Sequence, residues 1–488
     1  MSFAYLLAWL LPWSLGIAVF LAVSPQRRQG WCAAVAGYGF FIGMLLVALA
    51  ASIVARADTA EAWSHAGLCL LPVTVVAAAI AWRRSFVRES VSIVDAGGVV
   101  LKPWQWTALA VLPASLVLRG AMIAREIWLR PTYPWDAWSA WAVKPKTWFL
   151  LGHYVPFVSM ADWLRLPQGN AYTDVAWHYP DALAWIEVWF ASAAGGWIEP
   201  LVNLPWLGLW IALLLGHYGQ WHALGLDRVR ATIFVYALGS LPLLSVHAAL
   251  AGYADLWIAM AFGFGVLAWI RWLRHGERNQ LCIAIICALA LPWFKTEGWV
   301  WAFCLLGAIG FGTWPKRLRG AVAIGAAALF VVLFPLGGLR FLCLHAGVLN
   351  VDGSIGMPAI GPLAVVLKLG WRPGVLAGAI EALFVHPNWH LLWWISPAVV
   401  AWRWRELAAH DWLCLPAMLL FVCALLLLVL FLFTEASAWA QSYTAINRLA
   451  LQLVPAWMTV LALLLRDVRW TEAASDTVPE RDPRNDPA

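Results

Sequence analysis

The sequence predicts an all-α, polytopic integral membrane protein of about thirteen transmembrane helices. Three observations carry that expectation. Of the 488 residues, 63% are hydrophobic and 12% charged, against roughly 45–50% and 25% in soluble domains. Mean hydropathy is +0.75. The apolar residues fall in runs near the ~20 residues that a helix needs to cross the hydrocarbon core, with short basic clusters between the runs. So few charges cannot cover a water-soluble globule. A soluble enzyme, a disordered chain, a coiled coil and a secreted disulfide scaffold are thereby excluded.

Taken in chain order, the apolar runs cover residues 3–23, 31–55, 66–82, 104–122, 198–217, 231–250, 253–272, 281–294, 298–313, 320–338, 386–402, 411–433 and 447–466. The runs between 281 and 313 are the shortest. The first lacks the basic leader and the small-residue cleavage site of a signal peptide, so it reads as a retained helix. Residues 1–103 then form N-terminal helices of unknown role, 104–466 the main transmembrane region, and 467–488 a polar, Pro- and Asp-rich tail that reads as disordered.

Lys and Arg orient the chain. Arg27 and Arg28; Arg83, Arg84, Arg88 and Lys102; Arg228 and Arg230; Arg271, Arg274 and Arg278; Lys316, Arg317 and Arg319; Arg403 and Arg405; and Arg466 and Arg469 are each separated from the next cluster by two passes. A single assignment places every cluster in the cytoplasm, with the N-terminus outside and the C-terminus inside. Two long segments, about 123–197 and 339–385, then lie outside. The formal net charge of +6 is this loop bias and not a nucleic-acid footprint. The eight cysteines contain no CxxC pair; seven lie in apolar runs and one, Cys343, in the second outer segment. They read as small packing residues. The 37 tryptophans suit interfacial belts and an aromatic core, with stacking on a sugar as the functional use of particular positions.

Polar groups are costly near a bilayer, so their clusters mark candidate sites. The first outer segment contains PWDAWSAWAVKPK, with Asp136 eight residues before Lys144. On a continuous helix the two would share a face. A carboxylate and a cation so placed suit proton abstraction from one substrate and retention of another's phosphate; an exposed ion pair on an interfacial helix anchored by Trp135, Trp138 and Trp141 is the plainer use. Further on, WHYPDALAWIEVWF carries His178, Asp181 and Glu187, and Asp181 is placed to cap the helix after it. Asp255 in AGYADLW, Lys295 and Glu297 in FKTEGW, and Arg448 in INRLALQLVP fall at outer span ends. A helix cap, a self-neutralising turn and a snorkelling arginine are their plainer roles. Three of the six lysines, Lys144, Lys146 and Lys295, share this face. The pattern suits an outer-leaflet site for an anionic, lipid-borne substrate.

Four local patterns in this order, Asp136 in PWDAWSAWAVKPK, HYPD at 178–181, GYADL at 252–256, and KTEG at 295–298 with INRLALQLVP at 446–455, resemble the GT-C glycosyltransferases. The likeness is to bacterial members of the dolichyl-phosphate-mannose mannosyltransferase-like group and covers about residues 104–466. The first motif lacks the paired second acid of many members, with Ser139 nearby instead. The resemblance implies a GT-C-like fold with interfacial helices in the first outer segment. It implies glycosyl transfer at the outer face of a bacterial cytoplasmic membrane, from a polyprenyl-phosphate sugar to a glycan, lipid or protein acceptor. Asp136 would be the general base, with Asp181 and His178 orienting the acceptor or assisting it. Lys144, Lys295 and Arg448 would hold the phosphate, Asp255 and Glu297 would complete the binding site, and Trp135, Trp138 or Trp177 would stack on sugar. Asp136, Asp181 and His178 offer ligand atoms to a divalent metal without tight spacing, so no metal is assigned. The alternative is a transporter or flippase of a lipid-linked or anionic substrate, which would place its charges near the midplane, often on repeated broken helices. No repeat is visible.

Overall fold

The computed structural model describes residues 2–24, 30–86, 101–333, 354–356, 366–368, 371–372, 374–434 and 436–468. Arg27, Arg28, Arg88, Cys343, Arg469, most of the second outer segment and nearly all of the tail lie outside the described residues. The chain is an all-α membrane protein, apart from two three-residue strands among the described residues of 339–385. These are β1 (Ser354–Gly356) and β2 (Val366–Lys368), antiparallel with Ile355 opposite Leu367.

The helices that position the site are α1 (Phe3–Val23), α2 (Trp31–Val54), α3 (Ala62–Phe86), α4 (Pro103–Leu129), α5 (Val143–Leu151), α6 (Ala182–Ala194), α7 (Pro205–Ala223), α8 (Arg228–Gly239), α9 (Pro242–Ala249), α10 (Asp255–His275), α11 (Arg278–Phe294), α12 (Gly298–Thr313), α13 (Lys316–Leu333), α14 (Leu392–Trp402), α15 (Asp411–Phe433) and α16 (Thr444–Leu464). Among the described residues eight helices are long and apolar enough to cross a membrane, or nine if α8 and α9 form one span. The expected thirteen is not reached, for local reasons. The run at 231–250 is bent by 62° between α8 and α9, where Pro242 has no N–H to continue the ladder. The runs at 281–294 and 298–313 are short helices parted by the extended residue Lys295. The run at 386–402 is broken before α14 by His390, whose φ of 50° is left-handed. The run at 320–338 extends beyond the described residues.

The core is centred on α10, buried on every side from Asp255 to Arg271, as expected of a helix that is apolar all round. It packs against α7, α11 and α16. The N-terminal helices join the same apolar core. Glycine lets their backbones come together: a Cβ on Gly16 would sit 1.8 Å from the Gly39 carbonyl, and one on Gly37 would sit 2.4 Å from the Gly216 amide. Such small-residue crossings gain packing that lipid cannot match. The Tyr38 hydroxyl then donates to the Phe264 carbonyl at 2.9 Å, fixing α2 to α10.

The two ends of the bundle differ. At one end Arg271 pairs with buried Glu277 and donates to Gln220 at 3.0 Å, Arg230 donates to the Arg466 carbonyl, and Arg403 to the Leu464 carbonyl. At the other lie the start of α10, the α11–α12 turn and the start of α16.

Candidate functional site

The polar end is assembled by four breaks in helix. After α4, Pro131 and Pro134 redirect the chain, and Asp136 opens a π-turn over Ala137–Trp141. The loop before α10 presses on that turn. Gly252 has a φ of +104°, and a Cβ there would stand 2.7 Å from the Ala137 Cβ, so glycine meets both a backbone and a space requirement. Asp255 begins α10, Lys295 ends α11 in extended conformation, and Arg448 lies in the first turns of α16.

These segments bring Asp136, Asp255, Lys295, Glu297 and Arg448 into one ion network. Lys295 Nζ lies 2.9 Å from Asp255 Oδ1 and 3.2 Å from Glu297 Oε1. Arg448 donates through Nε to Asp255 Oδ2 at 2.9 Å and through Nη1 to Asp136. Gln452, one turn beyond Arg448, donates to Asp255 Oδ1 at 2.6 Å and accepts from the Trp301 indole. The Tyr253 ring lies 4.6 Å from the Arg448 guanidinium carbon, a cation–π distance.

The network is layered. Side-chain exposure is 0% for Asp255 and 3% for Lys295, 19% for Arg448, and 41% and 37% for Asp136 and Glu297. A buried anion thus holds two cations, and each cation shows its other side to a water-accessible carboxylate. The Asp255 carboxylate and the Glu297 carboxylate in turn hold the Lys295 ammonium well above its usual range against the opposing effect of burial, so it stays charged. Three carboxylates face two cations. Both cations are thus already paired, and the carboxylates most accessible to water are Asp136 and Glu297.

Lys144 is not on the Asp136 face as a continuous helix would place it. The π-turn adds a residue to the turn between them, and Lys144 points elsewhere. It is buried, 3.0 Å from Asp181 Oδ1, and also donates to the Tyr179 carbonyl. Asp181 occupies the residue before α6 but makes no capping hydrogen bond, so the expected cap is corrected to an ion pair. Asp255, in turn, is the first residue of its helix rather than the cap, which is Ala254. The Tyr179 ring stacks on Trp141 at 4.6 Å. Burial first, then the Glu297 carboxylate, push its hydroxyl up to about 12. Trp135 and Trp138 are exposed and meet edge to face at 4.9 Å beside Asp136. Glu187 is buried in α6, and among the described residues neither carboxylate oxygen has a hydrogen-bond partner. Lys146 joins Glu199 at 3.5 Å.

His178 lies between the Trp177 and Tyr179 rings. Burial, and then the Lys144 ammonium, hold its imidazole below the usual range. With its folded pKa depressed, the unfolded chain takes the proton first as pH falls. The stability that neutral His178 contributes is complete above about pH 6.5 and is lost as pH falls from there through the folded value. In detergent, the melting temperature of wild type should fall below pH 6.5 more steeply than that of His178→Asn. Parallel curves would remove His178 as the source.

Sequence reading missed Tyr179, Tyr253, Gln452 and Trp301. Tyr179, Tyr253 and Gln452 sit inside motifs already noted, and Gln452 follows Arg448 at helical spacing (i, i+4). His247 on α9 was also missed; it lies beside the Tyr253 ring at 5.3 Å and within electrostatic reach of Asp255. Among the described residues no group of three or more His, Cys, Asp or Glu is placed to hold a metal ion.

No family model matches the chain, and no curated protein or solved structure is similar to it.

Proposed function

We propose that this protein is a membrane glycosyltransferase of GT-C type, acting at the extracytoplasmic face of a bacterial cytoplasmic membrane on a polyprenyl-phosphate sugar. One observation carries the reading: five charged residues from four distant segments meet in one network at one end of the bundle. Buried charge is expensive, so such a cluster is a functional candidate by default.

The phosphate of the lipid-linked sugar binds Arg448 and Lys295 and displaces Asp136 and Glu297. The released Asp136 carboxylate takes the proton of the acceptor hydroxyl. The acceptor oxygen attacks the anomeric carbon, the bond from that carbon to the phosphate oxygen breaks, and polyprenyl phosphate leaves with inversion. The cations stabilise the charge that grows on the leaving group. Asp181 and His178 orient the acceptor, Lys144 fixes Asp181, and Trp135 and Trp138 offer ring faces to sugar.

Mass spectrometry of lipid extracts from a strain lacking this chain tests the reading. A polyprenyl-phosphate sugar should accumulate, with the modified acceptor lost. Transport of an intact lipid-linked substrate by the purified chain in vesicles, without sugar transfer, would instead establish a flippase, a reading the broken α8–α9 pair favours.

Lys295→Ala should lower kcat/KM for the lipid-linked donor roughly 10- to 100-fold, the worth of a hydrogen bond to a charged group. Asp255 would still be held by Arg448 and Gln452. Unchanged kinetics would reduce Lys295 to a structural partner of the α11–α12 turn.

A further inference from the structure

We propose a second site, separate from the charged network and independent of the glycosyltransferase reading: the groove between α4 and α9 binds an anionic phospholipid of the surrounding leaflet, with its phosphate on Arg119.

The groove has a volume of about 580 Å³, within the roughly 300–1,000 Å³ of small-ligand pockets. It exists because the chain bends by 62° between α8 and α9, so that α9 diverges from the line along which α8 packs on α4. Leu118, Met122, Val246 and Leu250 make it apolar, and Arg119 and Ser245 face each other within it. Since α4 is the least buried of the eight candidate spans, the groove opens sideways to lipid.

Arg119 selects the ligand. It lies inside a candidate span, where an ionisable side chain is costly and needs a partner. Its hydrogen bond is to the neutral Ser245 Oγ at 3.0 Å. Among the described residues no carboxylate lies within ion-pair distance of it, whereas Lys144, Lys295 and Arg448 each have one. The nearest acid of the groove, Glu126, is held by Arg130 at 2.5 Å. Seven residues of helix separate it from Arg119, about 10 Å at 1.5 Å per residue.

The missing counter-charge must therefore come from outside the described chain, in an apolar setting open to the bilayer. A phosphodiester fits, because its two free oxygens match the guanidinium fork while its acyl chains lie along the apolar walls. Arg119 lies ten residues before the end of α4 at Leu129, about 15 Å by helical rise, and an arginine stem can extend toward the headgroup layer. Tyr133 also lines the groove.

Native mass spectrometry of the purified full chain tests this, with equal amounts of phosphatidylglycerol and phosphatidylethanolamine offered. Wild type should retain phosphatidylglycerol about tenfold over phosphatidylethanolamine, whose phosphodiester is already neutralised by its own ammonium; about tenfold is the scale of one charge-assisted hydrogen bond. Arg119→Gln should abolish that preference, Arg119→Lys should keep part of it, and Arg165→Gln should leave it intact. A photoactivatable phosphatidylglycerol should label peptides of α4 and α9. The proposal is overturned if Arg119→Gln keeps the wild-type preference, if wild type shows none, or if labelling falls elsewhere. Crosslinks from Val246 to another segment of the chain, or to a partner helix carrying an acid, would also overturn it. Should Arg119→Gln not fold, Arg119→Lys and the labelling map decide. Neither readout depends on sugar transfer, so failure here and failure of the enzyme reading are distinguishable.

Discussion

Asp136→Asn should lower sugar transfer by about 10²- to 10⁴-fold, the range that a positioned general base supplies, while leaving the protein folded. Asparagine keeps the shape and one acceptor oxygen, so Arg448 retains a hydrogen bond. It cannot take a proton from an acceptor hydroxyl. The side chain is 41% exposed, so the lost ion-pair energy is small, in line with exposed pairs. The measurement is single-turnover transfer from a labelled lipid-linked sugar, with thermal unfolding of both proteins alongside. Wild-type turnover by the variant would take Asp136 out of the chemistry. A variant that melts early would show that the carboxylate serves the fold.

Asp255→Ala should do the opposite and act on the fold first. Its carboxylate is fully buried and holds Lys295, Arg448 and Gln452. Removing it leaves two largely buried cations that depend on exposed Glu297 and Asp136. Breaking a buried pair by deleting one partner costs about 3–5 kcal/mol, a large part of the stability of a typical domain. A lower melting temperature in detergent, with reduced yield, is the expected result. Asp255→Asn should recover part of the loss, because it keeps hydrogen bonds without the charge. If Asp255→Ala melts with wild type, the buried centre does not hold this end together.

The two outcomes separate because one carboxylate is wet and the other dry, a difference that sequence does not contain. What sequence does contain is contrast. In a chain with 12% charged residues, Asp255, Lys295 and Arg448 stand out at the ends of apolar runs, so they are legible as candidates without knowing their partners. The partners were not legible. Asp136 and Arg448 are 312 residues apart, and nothing local joins them. Lys144 was assigned to the Asp136 face by assuming a regular helix, and the π-turn at Ala137–Trp141 removes that regularity without a sequence signature. The membrane class followed from bulk apolar content, which is robust to such breaks. The number of spans did not, because an apolar run of the right length gives the same hydropathy whether it is one helix or two. Pro242 and the left-handed His390 decide that locally.

The glycine contacts of the second helix also bear on how the chain is made. Gly37 rests against Gly216, so 179 residues of synthesis separate the two surfaces that must meet. At translation speeds of ~5–20 residues per second the first pair of helices waits roughly 10–40 s for its mate. During that interval the Gly37 surface faces lipid or a chaperone, which leaves the newborn N-terminal hairpin open to pairing wrongly.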